Sequence, residues 1–138
     1  MKTVLIADDN EVLIEALKVG LEKYNDRFQT VCVHNGLDAM NTLKNQPIDL
    51  VITDIQMPMM DGLVLLAFLR EHFPDLPCVI ISSYGTPDLK ADLENDVLQF
   101  IDKPIKLNKL AKLILTTLSR ERPHTDARRL VPIADLLK

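Results

Sequence analysis

Four short apolar runs in this chain end in residues that can do chemistry. Val4-Leu5-Ile6-Ala7 is followed by Asp8 and Asp9, and Ile48 to Thr53 by Asp54. Cys78-Val79-Ile80-Ile81 is followed by Ser82 and Ser83, and the run from Val97 to Ile101 leads to Lys103 and Pro104. Taken singly, each residue has a plain reading. A lone aspartate after a strand is usually a turn residue or a helix cap, a lone serine bonds to backbone, and a lone lysine is a solvated surface group. Brought to one edge, the same residues make a site. Three carboxylates repel one another unless a cation joins them. A hard divalent ion such as Mg²⁺, which takes one or two carboxylates and keeps several waters, meets that need. Lys103 adds a fixed positive charge and Ser82 a hydroxyl. Metal, ammonium and hydroxyl around one carboxylate form a cradle for a phosphoryl group. Asp54 is central and is the candidate nucleophile, because a carboxylate attacking phosphorus gives an aspartyl phosphate.

The elements that must hold these residues alternate along the chain. Strands are expected at 4–7, 29–33, 48–53, 78–81 and 97–101. The first and fourth are apolar throughout and the third nearly so, as strands buried on both faces are. Helices are expected between them. The first follows the candidate cap Asn10 through Leu13, Ala16, Leu17, Gly20, Leu21 and Tyr24. The second carries Leu37, Met40 and Leu43, and the third runs from Asp61-Gly62 to about His72. A weak, polar fourth helix is expected over 86–95, with Pro87 in its first turn, and a strong fifth through Leu107, Leu110, Ala111, Ile114 and Leu118. Strands alternating with helices imply an α/β fold, a parallel sheet covered on both faces with right-handed crossovers. The expected architecture is a flavodoxin-like three-layer sandwich, five strands in the order 2-1-3-4-5 with five helices. Its ligand crevice lies beyond the carboxyl ends of the strands, where the residues above fall.

Composition narrows the function classes. The 138 residues carry 16 Lys+Arg against 20 Asp+Glu, a formal charge of −4, without the basic stripe of a nucleic-acid binder. Apolar residues make up 47% and charged residues 26%, a globular balance. Cys32 and Cys78 lie within apolar runs and suit reduced thiols in a cytoplasmic protein. No apolar run approaches the roughly 18 residues of a membrane span.

The set Asp8-Asp9, Asp54 within DIQMPMMDG, Ser82 after CVII, and Lys103-Pro104 closely resembles the receiver domain of bacterial two-component response regulators. The match runs from about residue 2 to about 120, in order. The resemblance implies that Asp54 takes a phosphoryl group from a histidine kinase or a histidine phosphotransfer protein. It implies that Asp9, Asp54 and the backbone carbonyl of Gln56 hold Mg²⁺, with Asp8 reaching the ion mainly through water. It implies that Ser82 and Lys103 contact the phosphoryl oxygens, that Lys103-Pro104 is a cis peptide, and that Phe100 is the aromatic switch residue. Gln56 and Tyr84 fall where the family tunes phosphoryl lifetime, and bulky Tyr84 is expected to shield the acyl phosphate from water. The family's readout is the face of the fourth helix, fifth strand and fifth helix. There Lys106, Lys109 and Lys112, with Asp92, Asp96 and Asp102 nearby, allow a charged homodimer contact, against the plainer reading of a solvated face. Such a domain is a switch that phosphorylates and dephosphorylates itself, with no released-product metabolism.

The pattern departs from the family at Asp96-Val97, where a Gly-Ala pair is usual, so a different end to the fourth helix is expected. Three alternatives stay open. A haloacid-dehalogenase-type phosphatase carries a second acid two residues after its nucleophile, where this chain has Gln56. A flavodoxin-type FMN protein needs a Ser/Thr/Gly-rich loop after the first strand, where this chain has Asp8-Asp9. A phosphorylation-independent receiver-like binding module would not need the full set. Residues 1–120 are expected to be the receiver domain. Residues 121–138, with two prolines, a charged stretch and the apolar Ile133, Leu136 and Leu137, read as the tail of a stand-alone receiver or, the favoured reading, as a linker leading to an absent output domain.

Overall fold

The computed structural model describes residues 1–120. Residues 121–138, expected to form a linker or tail, lie outside the described residues. The described chain alternates β1 (Lys2–Ala7), α1 (Glu11–Leu21), a 3₁₀ turn (Glu22–Tyr24), β2 (Phe28–Val33), α2 (Gly36–Asn45), β3 (Leu50–Asp54), α3 (Gly62–His72), β4 (Cys78–Ser82), α4 (Pro87–Leu93), β5 (Gln99–Asp102) and α5 (Leu107–Leu118). All strand pairs are parallel, and the order is β2-β1-β3-β4-β5. This is the flavodoxin-like sandwich expected from the alternation.

Each face of the sheet has its own core. Leu5, Ala7, Val51, Cys78 and Ile80 pack with Ala39 and Leu43 of α2 and with Leu65, Leu66 and Leu69 of α3. The alternate strand residues Val4, Ile6, Leu50, Ile52, Val79 and Ile81 pack with Ile14, Leu17 and Leu21 of α1 and with Leu110, Ala111 and Ile114 of α5. Side chains alternate across a strand, so a sheet covered on both sides must be apolar at every position. Burying each such side chain stabilises by about 1.5–3 kcal/mol. α1 and α5 approach closely at Gly20, where any Cβ would collide with the Leu107 side chain.

The helices start where side-chain oxygens take up free N–H groups. Asn10 accepts from Leu13 N–H at 3.1 Å, Asn35 from Asp38 N–H at 2.7 Å, and Asp61 from both Leu63 and Val64 N–H at 2.9 Å. α3 buries Gly62, Leu65, Leu66 and Leu69, as its apolar sequence suggests, but leaves Leu63 and Val64 exposed.

Several boundaries differ from expectation: β1 begins at Lys2 and β3 at Leu50, and Tyr24 falls in the 3₁₀ turn after α1. α4 covers only Pro87–Leu93, and β5 begins at Gln99 rather than Val97. The cause is the helix end itself. Leu93 C=O accepts from Asp96 N–H at 2.9 Å and Val97 N–H at 3.2 Å, so these residues close the helix and are not free to pair in the sheet. The closure uses no left-handed residue at Asp96 or Val97, so the missing glycine is not needed. α4 has no buried residue.

Candidate functional site

Register brings the carboxylates together. Ile6 pairs with Ile52 and Ala7 with Thr53, so the next residues along, Asp8 and Asp54, leave neighbouring strands side by side. Asp8 is fully buried, Asp54 nearly so, and Asp9 is exposed. One carboxylate oxygen from each of Asp8, Asp9 and Asp54 lies within 4.8 Å of the others. Asp54 Oδ1 accepts from Ile55 N–H at 2.7 Å, which fixes the carboxylate plane. Asp54 Oδ2 accepts from Lys103 Nζ at 2.8 Å. Asp8 Oδ1 accepts from Asn10 N–H at 2.9 Å. Asp8 Oδ2 lies 2.9 Å from Lys103 Nζ as an ion pair, yet accepts no well-directed hydrogen bond among the described residues.

Lys103 is therefore the counter-ion of two buried acids. Burial alone would lower its pKa, but the close contacts and charges of Asp54 and Asp8 outweigh that and raise it above the ordinary lysine value. One ammonium still faces three carboxylates. That excess negative charge, the all-oxygen donor set and the under-used Asp8 Oδ2 fit a hard divalent cation such as Mg²⁺.

The loop after β3 closes tightly over the strand end. Gly62 N–H donates to Ile55 C=O at 2.6 Å, and a Cβ at Gly62 would collide with the Asp54 carbonyl oxygen. Thr53 Oγ1 donates to Asp54 C=O at 2.9 Å and touches Met57 Sδ at 4.0 Å. Met59, in the same loop, has φ of 70° and is exposed. Gln56 is exposed just beyond Asp54.

Ser82 ends β4 and is buried. Its Oγ accepts from Tyr84 N–H at 2.9 Å, and its carbonyl accepts from Lys103 N–H at 3.0 Å. Tyr84 is exposed. Phe100 is half-buried, pairs with Ile80, and packs against the α2–α3 core, as Leu89, Leu93 and Val97 also do. The Lys103–Pro104 peptide is cis. Asp8, Asp9, Asp54 and Lys103 thus form one constellation, with Ser82 at its rim and Gln56, Tyr84 and Phe100 around it.

Two features escaped the sequence reading. Nothing in the composition of the β3–α3 loop announces a left-handed methionine at position 59. The second is that Asp102 Oδ2 accepts from Lys90 Nζ of α4 at 3.0 Å within the chain.

The sheet order and the acidic crevice at its carboxyl edge define a signal-receiver module of the flavodoxin-like class. Residues 4–115 match the family described as the response regulator receiver domain, and the chain belongs to that family. It is 31% identical over 126 residues to the transcriptional regulatory protein GlrR of Escherichia coli (strain K12), covering 91% of this chain and 28% of that protein. It is 29% identical over 123 residues to the response regulator protein PilR of Pseudomonas aeruginosa, covering 88% of this chain and 27% of that protein. The chain therefore spans less than a third of the length of these relatives. The non-phosphorylated HemR receiver domain from Leptospira biflexa superposes with a TM-score of 0.80 at 25% identity, covering 90% of this chain and 99% of that one. The receiver domain of a signal transduction histidine kinase from Syntrophus aciditrophicus gives a TM-score of 0.75 at 32% identity, covering 86% and 91%. Receiver domains are signalling switches of two-component systems rather than metabolic enzymes. Among the described residues, no helix is long and apolar enough to cross a membrane.

Proposed function

We propose that Asp54 accepts a phosphoryl group from the phosphohistidine of a histidine kinase or phosphotransfer protein, and that this switches an output partner or domain. The observation that carries this reading is the Asp8–Asp9–Asp54 cluster joined to Lys103. An Asp54 oxygen attacks phosphorus, the new O–P bond forms, and the P–N bond to the donor imidazole breaks. The imidazole nitrogen leaves with the electron pair and takes up a proton. Lys103, already against Asp54 Oδ2, follows the charge onto the incoming phosphoryl oxygens. Ser82 Oγ, at the end of the adjacent strand, accepts from Tyr84 N–H and donates its own hydroxyl proton to another phosphoryl oxygen.

Asp9, Asp54 and the backbone carbonyl of Gln56 would hold Mg²⁺, with Asp8 acting mainly through water. Bound there, the ion supplies positive charge for the transferring phosphoryl group. Phosphorylation adds about −1.5 to −2 charge at Asp54, and the domain shifts toward a second conformer already in equilibrium with the first. Phe100 follows Ser82 by repacking, and the α4–β5–α5 surface changes. That surface is the readout and a place for a second copy to dock. Exposed Tyr84 shields the acyl phosphate from water, and Gln56 sets access from the other side. Catalysis is limited to the domain's own phosphorylation and dephosphorylation. Residues 1–120 form this switch. The domain works in the cytoplasm and makes no nucleic-acid contact of its own.

The test is Mg²⁺-dependent uptake of beryllofluoride by the full chain, followed by NMR. Uptake is expected in the parent and absent in Asp54→Asn. A parent that takes up none, or an Asn variant that binds equally, sinks the reading.

A further inference from the structure

α4 is weakly anchored. It buries no residue, and only Leu89 and Leu93 pack partly on the core. Among the described residues, one ion pair joins it to the sheet: Lys90 Nζ to Asp102 Oδ2 at 3.0 Å, also the geometry of a hydrogen bond. Asp102 is the register partner of Ser82 and immediately precedes Lys103. The Lys90 side chain passes over Gly85 to reach it. A Cβ on Gly85 would lie 2.9 Å from Lys90 Cε and 3.3 Å from Asp102 Oδ1. The β4–α4 loop beneath is closed at its other end by the Ser82 Oγ to Tyr84 N–H bond. Loop, ion pair and Ser82 turn thus form one strapped unit, in which the Ser82 hydroxyl already serves the loop.

Building on the phosphoacceptor role proposed for Asp54, we propose that Lys90 and Asp102 are positioning residues. Their ion pair, strapped across Gly85, holds the β4–α4 loop in the conformer that keeps Ser82 Oγ on Tyr84 N–H and away from the phosphoryl site. Ser82 Oγ accepts from Tyr84 N–H and keeps its own O–H to donate, so delivery of the hydroxyl to a phosphoryl oxygen shifts the whole turn, and that shift is easier when the strap is released. The pair is partly exposed, with side-chain accessibilities of 36% and 65%. It is therefore a weak bias on a two-state loop rather than a lock. The effect to look for is about two- to fivefold, in the range of exposed ion pairs.

The experiment uses the full chain and beryllofluoride with Mg²⁺, titrated by calorimetry, with circular dichroism and melting to show that each variant folds. Lys90→Met and Asp102→Asn should each raise the apparent affinity about two- to fivefold. The double variant should gain no more than either single, because both remove the same interaction. Lys90→Arg, which keeps the pair, should bind as the parent does. Gly85→Ala should reproduce the gain without changing charge, because its Cβ displaces the Lys90 stem and its backbone has no left-handed φ to resist substitution. The gain of Lys90→Met should shrink at high salt, where the parent pair is screened. Parent-like binding by Lys90→Met and Gly85→Ala overturns the strap. So do single-variant effects that add in the double, which would mean that Asp102 acts through neighbouring Lys103 instead. A parent that fails to bind beryllofluoride fails the Asp54 reading itself and is told apart by that result.

Discussion

Asp54 and Lys103, 49 residues apart in sequence, meet at 2.8 Å between carboxylate Oδ2 and ammonium. The same ammonium lies 2.9 Å from Asp8 Oδ2. One flexible cation thus pairs with two acids that strand register forces together, and the site keeps an excess of negative charge.

Removing that cation leaves the acids facing each other. Lys103→Met is expected to destabilise the fold by about 1–3 kcal/mol, below the full cost of breaking a buried pair because the site is open on one side. Mg²⁺ should recover more stability in the variant than in the parent, since it takes over the missing charge. Thermal denaturation with and without Mg²⁺ measures both, and a variant that melts like the parent in both conditions contradicts the pairing.

Tyr84 is 67% exposed, so its ring contributes little to packing. Tyr84→Ala should leave the melting temperature within the range of ordinary surface changes, about ±0.5 kcal/mol. It should shorten the lifetime of the aspartyl phosphate severalfold, as followed by loss of label after the donor is removed. A lifetime equal to the parent's removes the shielding role.

Cys78 is fully buried in the α2–α3 core, and burial pushes its thiol up to about 12, partly offset by Arg70. In the unfolded chain the thiol ionises near its ordinary value of 9.0. Below that value both states are protonated and the contribution is fully present. Between about 9 and 12 the unfolded state alone loses the proton, so stability falls as pH rises. Cys78→Ala should show a shallower alkaline decline in denaturant titrations from pH 8 to pH 11, whatever its stability at neutral pH. Equal slopes for variant and parent would refute the linkage. The native thiol should also resist alkylation until the protein unfolds.

Met59 holds φ at 70°, where an ordinary side chain costs roughly 1–2 kcal/mol. Met59→Asn, which tolerates that region, should stabilise by about 0.5–1 kcal/mol, and β-branched Met59→Val should destabilise. Denaturant midpoints give the signs, and the reverse order would mean that the loop relaxes out of this conformation.

Much of this was written locally. β1, β3 and β4 are legible because a strand buried on both faces has to be apolar throughout, and the polar residue that ends each run marks the carboxyl edge. Asn10 and Asp61 are legible as caps because their side-chain oxygens act within three residues. The start of β5 and the length of α4 are less legible. Val97 is β-branched and apolar and reads as strand, but its N–H is taken by Leu93 C=O, a competition between helix end and sheet that propensity cannot weigh. Phe100 could be placed on its strand, while its packing against the α2–α3 core came only with the tertiary structure.

Residue types and their order, then, determine the fold class, the strand ends and the chemistry available at them. Hydrophobic period and capping are short-range properties that a linear reading recovers. Tertiary structure alone decided the distances, the buried Asp8 oxygen beside the Lys103 ammonium, the turn that occupies Ser82, and the pairing of Asp102 with Lys90. Those contacts are made by crossovers and register between residues far apart in the chain. A charge leaves no periodic trace of the partner it will meet.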